Sequence, residues 1–119
     1  MIVIESLNHI NIPAQDIQKA VEFYTLYLDF EEVEVKEKEA ILSFDDKISI
    51  RIFLEKDHKP SGIYPLFSFI LDIDDFTDAL QVIEQNKIKI VSGPNENKKG
   101  ESLIISDPSG NNIEFFYEE

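Results

Sequence analysis

Seven side chains carry most of this sequence's capacity for small-molecule chemistry: His9, Asn11, Arg51, Phe53, Ser68, Glu114 and Phe116. Arg51 offers a planar fork of N–H donors that suits two-point contact with a carboxylate or phosphonate. It equally suits an ion pair with Glu114. Phe53 and Phe116 suit stacking on a planar ligand, or packing between strands. A few polar groups set against aromatic walls fit a concave ligand pocket better than a solvated face. Other chemistries are excluded. The chain has no cysteine, so disulfides, thiolate nucleophiles and cysteine metal sites are absent. No Ser-His-Asp set or glycine-rich phosphate loop is present. His58 reads as a surface residue, and Tyr24 and Tyr27 as packing residues.

These residues reach one face only if the elements beneath them alternate correctly. Leu7 to Ile12 alternates like a strand, with Pro13 expected to end it. Asp16 stands at a helix N-cap position, and Ile17, Ala20, Val21, Tyr24 and Leu28 recur at helical spacing, predicting a helix that stops near Asp29. Strands are predicted over 31–35, 39–44 and 48–54, with Asp45-Asp46-Lys47 as a hairpin turn. The first half therefore reads β-α-β-β-β. Residues 55–64 are polar and form a linker. The pattern then restarts, with a strand over 66–73, a second cap at Asp75, and Phe76, Ala79, Leu80 and Ile83 as a helical stripe. Strands follow over 88–91, 102–106 and 113–117, with a polar loop over 92–100 and a turn at Asp107-Pro108-Ser109-Gly110.

The halves overlay with a shift of 59, which places Asp16 on Asp75, Tyr24 on Ile83 and His9 on Ser68. Near the end the shift becomes 63, placing Arg51 on Glu114 and Phe53 on Phe116. Repetition of element order, cap and apolar stripe predicts two copies of one supersecondary unit. In each, a helix covers one sheet face. Ile10, Ile12, Ile50, Ile52, Phe69, Ile113 and Phe115 then face the helices. The seven residues named above face away, because strand side chains alternate.

The 119 residues suit one domain and one core. The net charge of −13 opposes binding to phosphate backbones and anionic membranes. Met1 to Ile4 is apolar but lacks the basic start and long apolar run of a signal peptide. A cytoplasmic protein without nucleic-acid or membrane partners is expected.

Leu7-Asn8-His9-Ile10-Asn11-Ile12, then Asp16, then Phe23-Tyr24 through Asp29-Phe30, resembles the opening of vicinal oxygen chelate proteins. That superfamily holds glyoxalase I, fosfomycin-resistance enzymes, bleomycin-resistance proteins and extradiol dioxygenases. Asp107-Pro108-Ser109-Gly110-Asn111-Asn112-Ile113-Glu114-Phe115 is similar to its closing signature. The resemblance implies an α+β fold in which paired βαβββ modules form a cup-shaped sheet with helices outside. It implies a single glyoxalase-like domain, with module 1 over about 5–54, a linker over 55–64 and module 2 over about 65–117. A homodimer is implied too. Many members hold a divalent ion (Zn, Ni, Mn or Fe) between two histidines and a glutamate. His9 and Glu114 match the first and third ligands, and Ser68 stands where the second histidine is expected. A catalytic role would fall to Glu114. Two functional expectations follow. One is a protein that binds a metabolite or antibiotic in the cup without metal, as in the bleomycin-resistance branch. The other is a metal-dependent lyase, isomerase or thiol transferase. A vestigial pocket in an interaction protein is the third alternative.

Overall fold

The computed structural model describes residues 1–60, 62, 64–97 and 99–118. The chain forms two compact units, Met1–His58 and Lys59–Glu119. The first runs β1 (Ile10–Ala14), α1 (Ile17–Leu26), β2 (Glu31–Val35), β3 (Glu39–Phe44) and β4 (Ile48–Leu54). The second runs β5 (Phe67–Ile70), α2 (Ile73–Gln85), β6 (Ile90–Asn97), β7 (Gly100–Ser106) and β8 (Asn112–Glu118). Each unit has one four-stranded sheet, ordered β1-β4-β3-β2 and β5-β8-β7-β6. The α+β class and the βαβββ repeat are thus present in both halves.

In each unit the first strand lies parallel to the last. A parallel pair needs a crossover, and the helix with two intervening strands supplies it. The helix buries one sheet face. In the first unit Ile12, Leu42, Ile50 and Ile52 of the sheet are fully buried, as are Ala20, Val21 and Tyr24 of α1. In the second, Leu103, Ile105 and Ile113 are buried with Phe76 and Ile83 of α2. The rings of Phe76 and Tyr117 meet edge to face at 4.9 Å. Alternation on β4 and β8 therefore follows the sequence pattern.

Several element boundaries differ from the sequence expectation, each for a local reason. Pro13 lies inside β1 rather than after it. β1 ends the strand order of its sheet, and a proline is tolerated there because its missing N–H need not join a ladder on both sides. Leu28 lies beyond α1, which closes at Leu26 with Tyr27 as its C-cap. The second N-cap is Asp72, not Asp75: its carboxylate accepts from the Asp75 backbone N–H at 2.8 Å. Ile73, expected in the strand, begins α2 and is exposed. The polar stretch 92–100 is mostly strand. β6 carries register shifts between Ile90 and Ser92 and between Ser92 and Asn95, which absorb Gly93 and Pro94 as bulges do.

Turn chemistry matches the sequence at the other joints. Asp16 caps α1 through Lys19 N at 3.0 Å. Asp45 and Asp46 both have positive φ, and Lys47 N donates to Phe44 O at 3.1 Å, as a tight hairpin requires. In the closing turn one oxygen of Asp107 accepts from Ser109 N and Asn111 N, and the other accepts from Asn111 Nδ2. Gly110 completes that turn at φ +85°, where an added Cβ would overlap the Pro60 ring.

Candidate functional site

Away from its helix, the first sheet carries Asn11, Arg51 and Phe53 on adjoining strands. Asn11 pairs with Arg51, and Pro13 with Phe53, in the β1–β4 register. Arg51 Nη1 donates to Asn11 Oδ1 at 3.4 Å. Its guanidinium carbon stands 5.5 Å from the Phe53 ring centroid, within cation–π range. Arg51 Nη2 meets Glu39 Oε2 at 3.1 Å, with both side chains about one-third exposed. Arg51 thus has a carboxylate partner within its own sheet, Glu39, which the sequence alone does not single out. Glu39 opposes Phe53 across the β3–β4 ladder and so lies diagonal to Arg51, near enough for long side chains to meet. The signal was a glutamate opening an otherwise apolar strand, Glu39-Ala40-Ile41-Leu42. Its partner could be chosen only once register was known. His9 immediately precedes β1 and is half-buried.

The second sheet brings Ser68 and Glu114 together. They are direct partners in the β5–β8 register, and Ser68 Oγ donates to Glu114 Oε1 at 2.7 Å. Phe116 is half-buried two residues on and opposes Ile70. Asn112, on the same alternation, is buried and donates to Gly62 O at 3.3 Å.

The ladders also revise the internal overlay. Ile10 pairs with Ile50, and Phe67 pairs with Ile113. If Ile50 matches Ile113, Ile10 matches Phe67, a shift of 57 rather than 59. Ser68 then corresponds to Asn11, and Leu66 to His9. The shift of 59 fits the helical stripe, but α2 has 13 residues against 10 in α1, so stripe and strand do not share one shift. Correct register makes two pairs equivalent: Asn11 with Arg51, and Ser68 with Glu114. The repeat thus places a cation in one sheet and an anion in the other at the same register position.

The donor set does not fit a divalent-metal centre within either unit. The first brings the imidazole of His9. The second brings the carboxylate of Glu114, which already accepts from Ser68. Neither Ser68 nor Leu66, at the position equivalent to His9, is an imidazole. Among the described residues no group of three or more His, Asp or Glu side chains converges in a way that could hold an ion. Structural Zn²⁺ sites take four ligands and catalytic ones three. A depression of about 370 Å³ in the first unit is lined by Asp29, Glu31, Asp45 and Asp46 with Ser43 and Phe44. It does not include the Arg51 cluster. Among the described residues, no helix is long and apolar enough to cross a membrane.

The chain is similar to the metallothiol transferase FosB of Staphylococcus epidermidis, 28% identical over 115 residues, covering 93% of this chain and 80% of that protein. Among solved structures, a glyoxalase/dioxygenase from Nostoc punctiforme is 27% identical with a TM-score of 0.78, covering 93% of this chain and 89% of that one. The fosfomycin resistance protein FosX from Listeria monocytogenes shares the fold at a TM-score of 0.84 and 17% identity, over 98% of this chain and 96% of that one. The model of one family matches residues 6–115, and the chain belongs to it: the Glyoxalase/Bleomycin resistance protein/Dioxygenase superfamily.

Proposed function

We propose that this protein binds a small metabolite or antibiotic on the sheet faces turned away from its helices, and does so without a resident metal. The observation that carries this reading is the Arg51 cluster. A guanidinium contacted by Glu39, Asn11 and Phe53, and about one-third exposed, is a recognition group already oriented while still open to a ligand. On that first sheet Phe53 supplies apolar wall, and Asn11 with His9 just before β1 supplies hydrogen bonds; the helix-free face of the second sheet carries Phe116 and Ser68. The family resemblance implies a cup-shaped pocket and a homodimer, and we extend both expectations to this chain. Thermal denaturation against a panel of antibiotics and metabolites tests the reading. A ligand present at about a hundred times its Kd adds about 2.7 kcal/mol to the native state. A panel that leaves Tm unmoved would remove the support for a ligand-binding role.

A second reading is a metal-dependent thiol transferase, favoured by the likeness to a protein named as a metallothiol transferase. In it His9 and Glu114 would be ligands, and Glu114 would carry the catalytic role. Metal content after exposure to Mn, Fe, Ni and Zn separates the two readings. The metal-free reading expects no retained ion in wild type or His9→Ala. Near-stoichiometric metal that His9→Ala loses would establish the second reading instead.

A further inference from the structure

Arg51 is the single arginine of a chain whose net charge is −13. Its ion pair with Glu39 is partly solvated, and such pairs add little to stability. Fold stability therefore does not account for the arrangement around it. Glu39 engages Nη2 only. Asn11 engages Nη1 at 3.4 Å, at the long limit for a hydrogen bond. The remaining guanidinium donors have no partner among the described residues. The Phe53 ring supports the group from one side. What results is an oriented, incompletely used fork of donors, with one carboxylate on it at 3.1 Å.

We propose that Arg51 is an anchor for a ligand's oxyanion, a carboxylate or phosphonate, and that Glu39 is an internal counter-anion which the ligand displaces. The inference rests on the small-molecule reading above and gives that ligand a chemical class. Displacement follows from charge. A ligand oxyanion brought beside Glu39 would face a like charge across one guanidinium, so the two carboxylates compete for it. Glu39 is the first residue of β3 and is one-third exposed, so its side chain can turn toward water without disturbing the buried ladder at Ala40 and Leu42. Glu39 thereby sets selectivity: neutral and weakly acidic compounds leave the pair closed, and strong two-point oxyanions open it.

The experiment is an NMR titration of the full chain with benzoate and with methylphosphonate, for wild type, Glu39→Gln, Glu39→Ala and Arg51→Gln. Thermal melts of each variant check folding. Glu39→Gln keeps a hydrogen-bond acceptor for Arg51 but removes the competing charge, so it should bind the better probe about three- to fivefold more tightly than wild type. Glu39→Ala should bind at least as tightly as Glu39→Gln, and Arg51→Gln should lose the response. Preference for one probe over the other distinguishes a carboxylate from a phosphonate ligand. Equal or weaker binding by both Glu39 variants would overturn the counter-anion role. Undiminished binding by Arg51→Gln would overturn the anchor. If no acidic probe binds any variant while a neutral compound raises Tm, this inference falls and the small-molecule reading stands. If nothing binds at all, both fall.

Discussion

A strand residue's neighbours are decided by register, and Glu114 illustrates the consequence. Its partner in the ladder is Ser68, whose hydroxyl donates to it at 2.7 Å. That bond is exposed, so its loss costs little, and Ser68→Ala should lower stability by no more than about 1 kcal/mol. Urea denaturation measures this, and a larger loss would mean that Ser68 also packs. Arg51 is different in kind, because three side chains hold it. Lysine cannot reproduce the planar two-point contact. Arg51→Lys should therefore behave like Arg51→Gln in the oxyanion titration, despite retaining the charge.

At the scale of elements, the two helix starts make a test pair. Asp72 accepts the Asp75 N–H, so Asp72→Ala should cost about 1 kcal/mol, as lost N-caps do. Asp75→Asn should do the reverse near neutral pH. Asp72 beside it raises the Asp75 carboxyl above its ordinary value, with Asp78 and Asp74 adding to the effect. A raised carboxyl holds its proton more tightly in the folded chain than in the unfolded one. Ionised Asp75 therefore costs stability, and the cost appears as pH rises above the ordinary carboxylate range. The favourable field of the helix N-terminus is outweighed by like charges crowded into its first turns. Asp75→Asn should raise Tm at about pH 7 and have almost no effect at about pH 3, where both states are protonated. Since Asp75 is exposed, added salt should shrink the difference. A gain in Tm that persists at low pH would point to helix propensity instead of charge.

At the scale of the whole chain, each unit rests on its own layer of branched aliphatic side chains between sheet and helix. Leu42 and Ile113 are fully buried, one in each unit. Replacing either by alanine should cost about 2–5 kcal/mol. Ile70 is 76% exposed although it lies in a strand, and Ile70→Ala should change stability by less than about 0.5 kcal/mol. Denaturant unfolding of the three variants tests whether the burial pattern is right. Gly110→Ala carries a backbone penalty of about 1–3 kcal/mol for its positive φ, and the clash with Pro60 adds to it.

Some features of this chain were determined by local chemistry alone. Period-two runs produced β2, β3 and β4 with their ends nearly where the pattern put them. Asp16 capped α1 because its side chain reaches a free N–H three residues on. The two halves repeated because both must bury one helix on one sheet, and the opening and closing motifs carried the family. Tertiary structure decided the rest. Asp72 rather than Asp75 caps α2: several nearby acids qualify by type, and Asp72 is the one whose backbone stays extended while its carboxylate reaches the N–H three residues on. Register was decided there too, because a shift of two residues preserves alternation and is invisible in the pattern. The face of Ser68 was therefore legible, but its correspondence with Asn11 was not. The pairing of Arg51 with Glu39 depends on that same ladder. Alternation says which side of a sheet a residue takes, and only hydrogen-bonded register says what stands beside it.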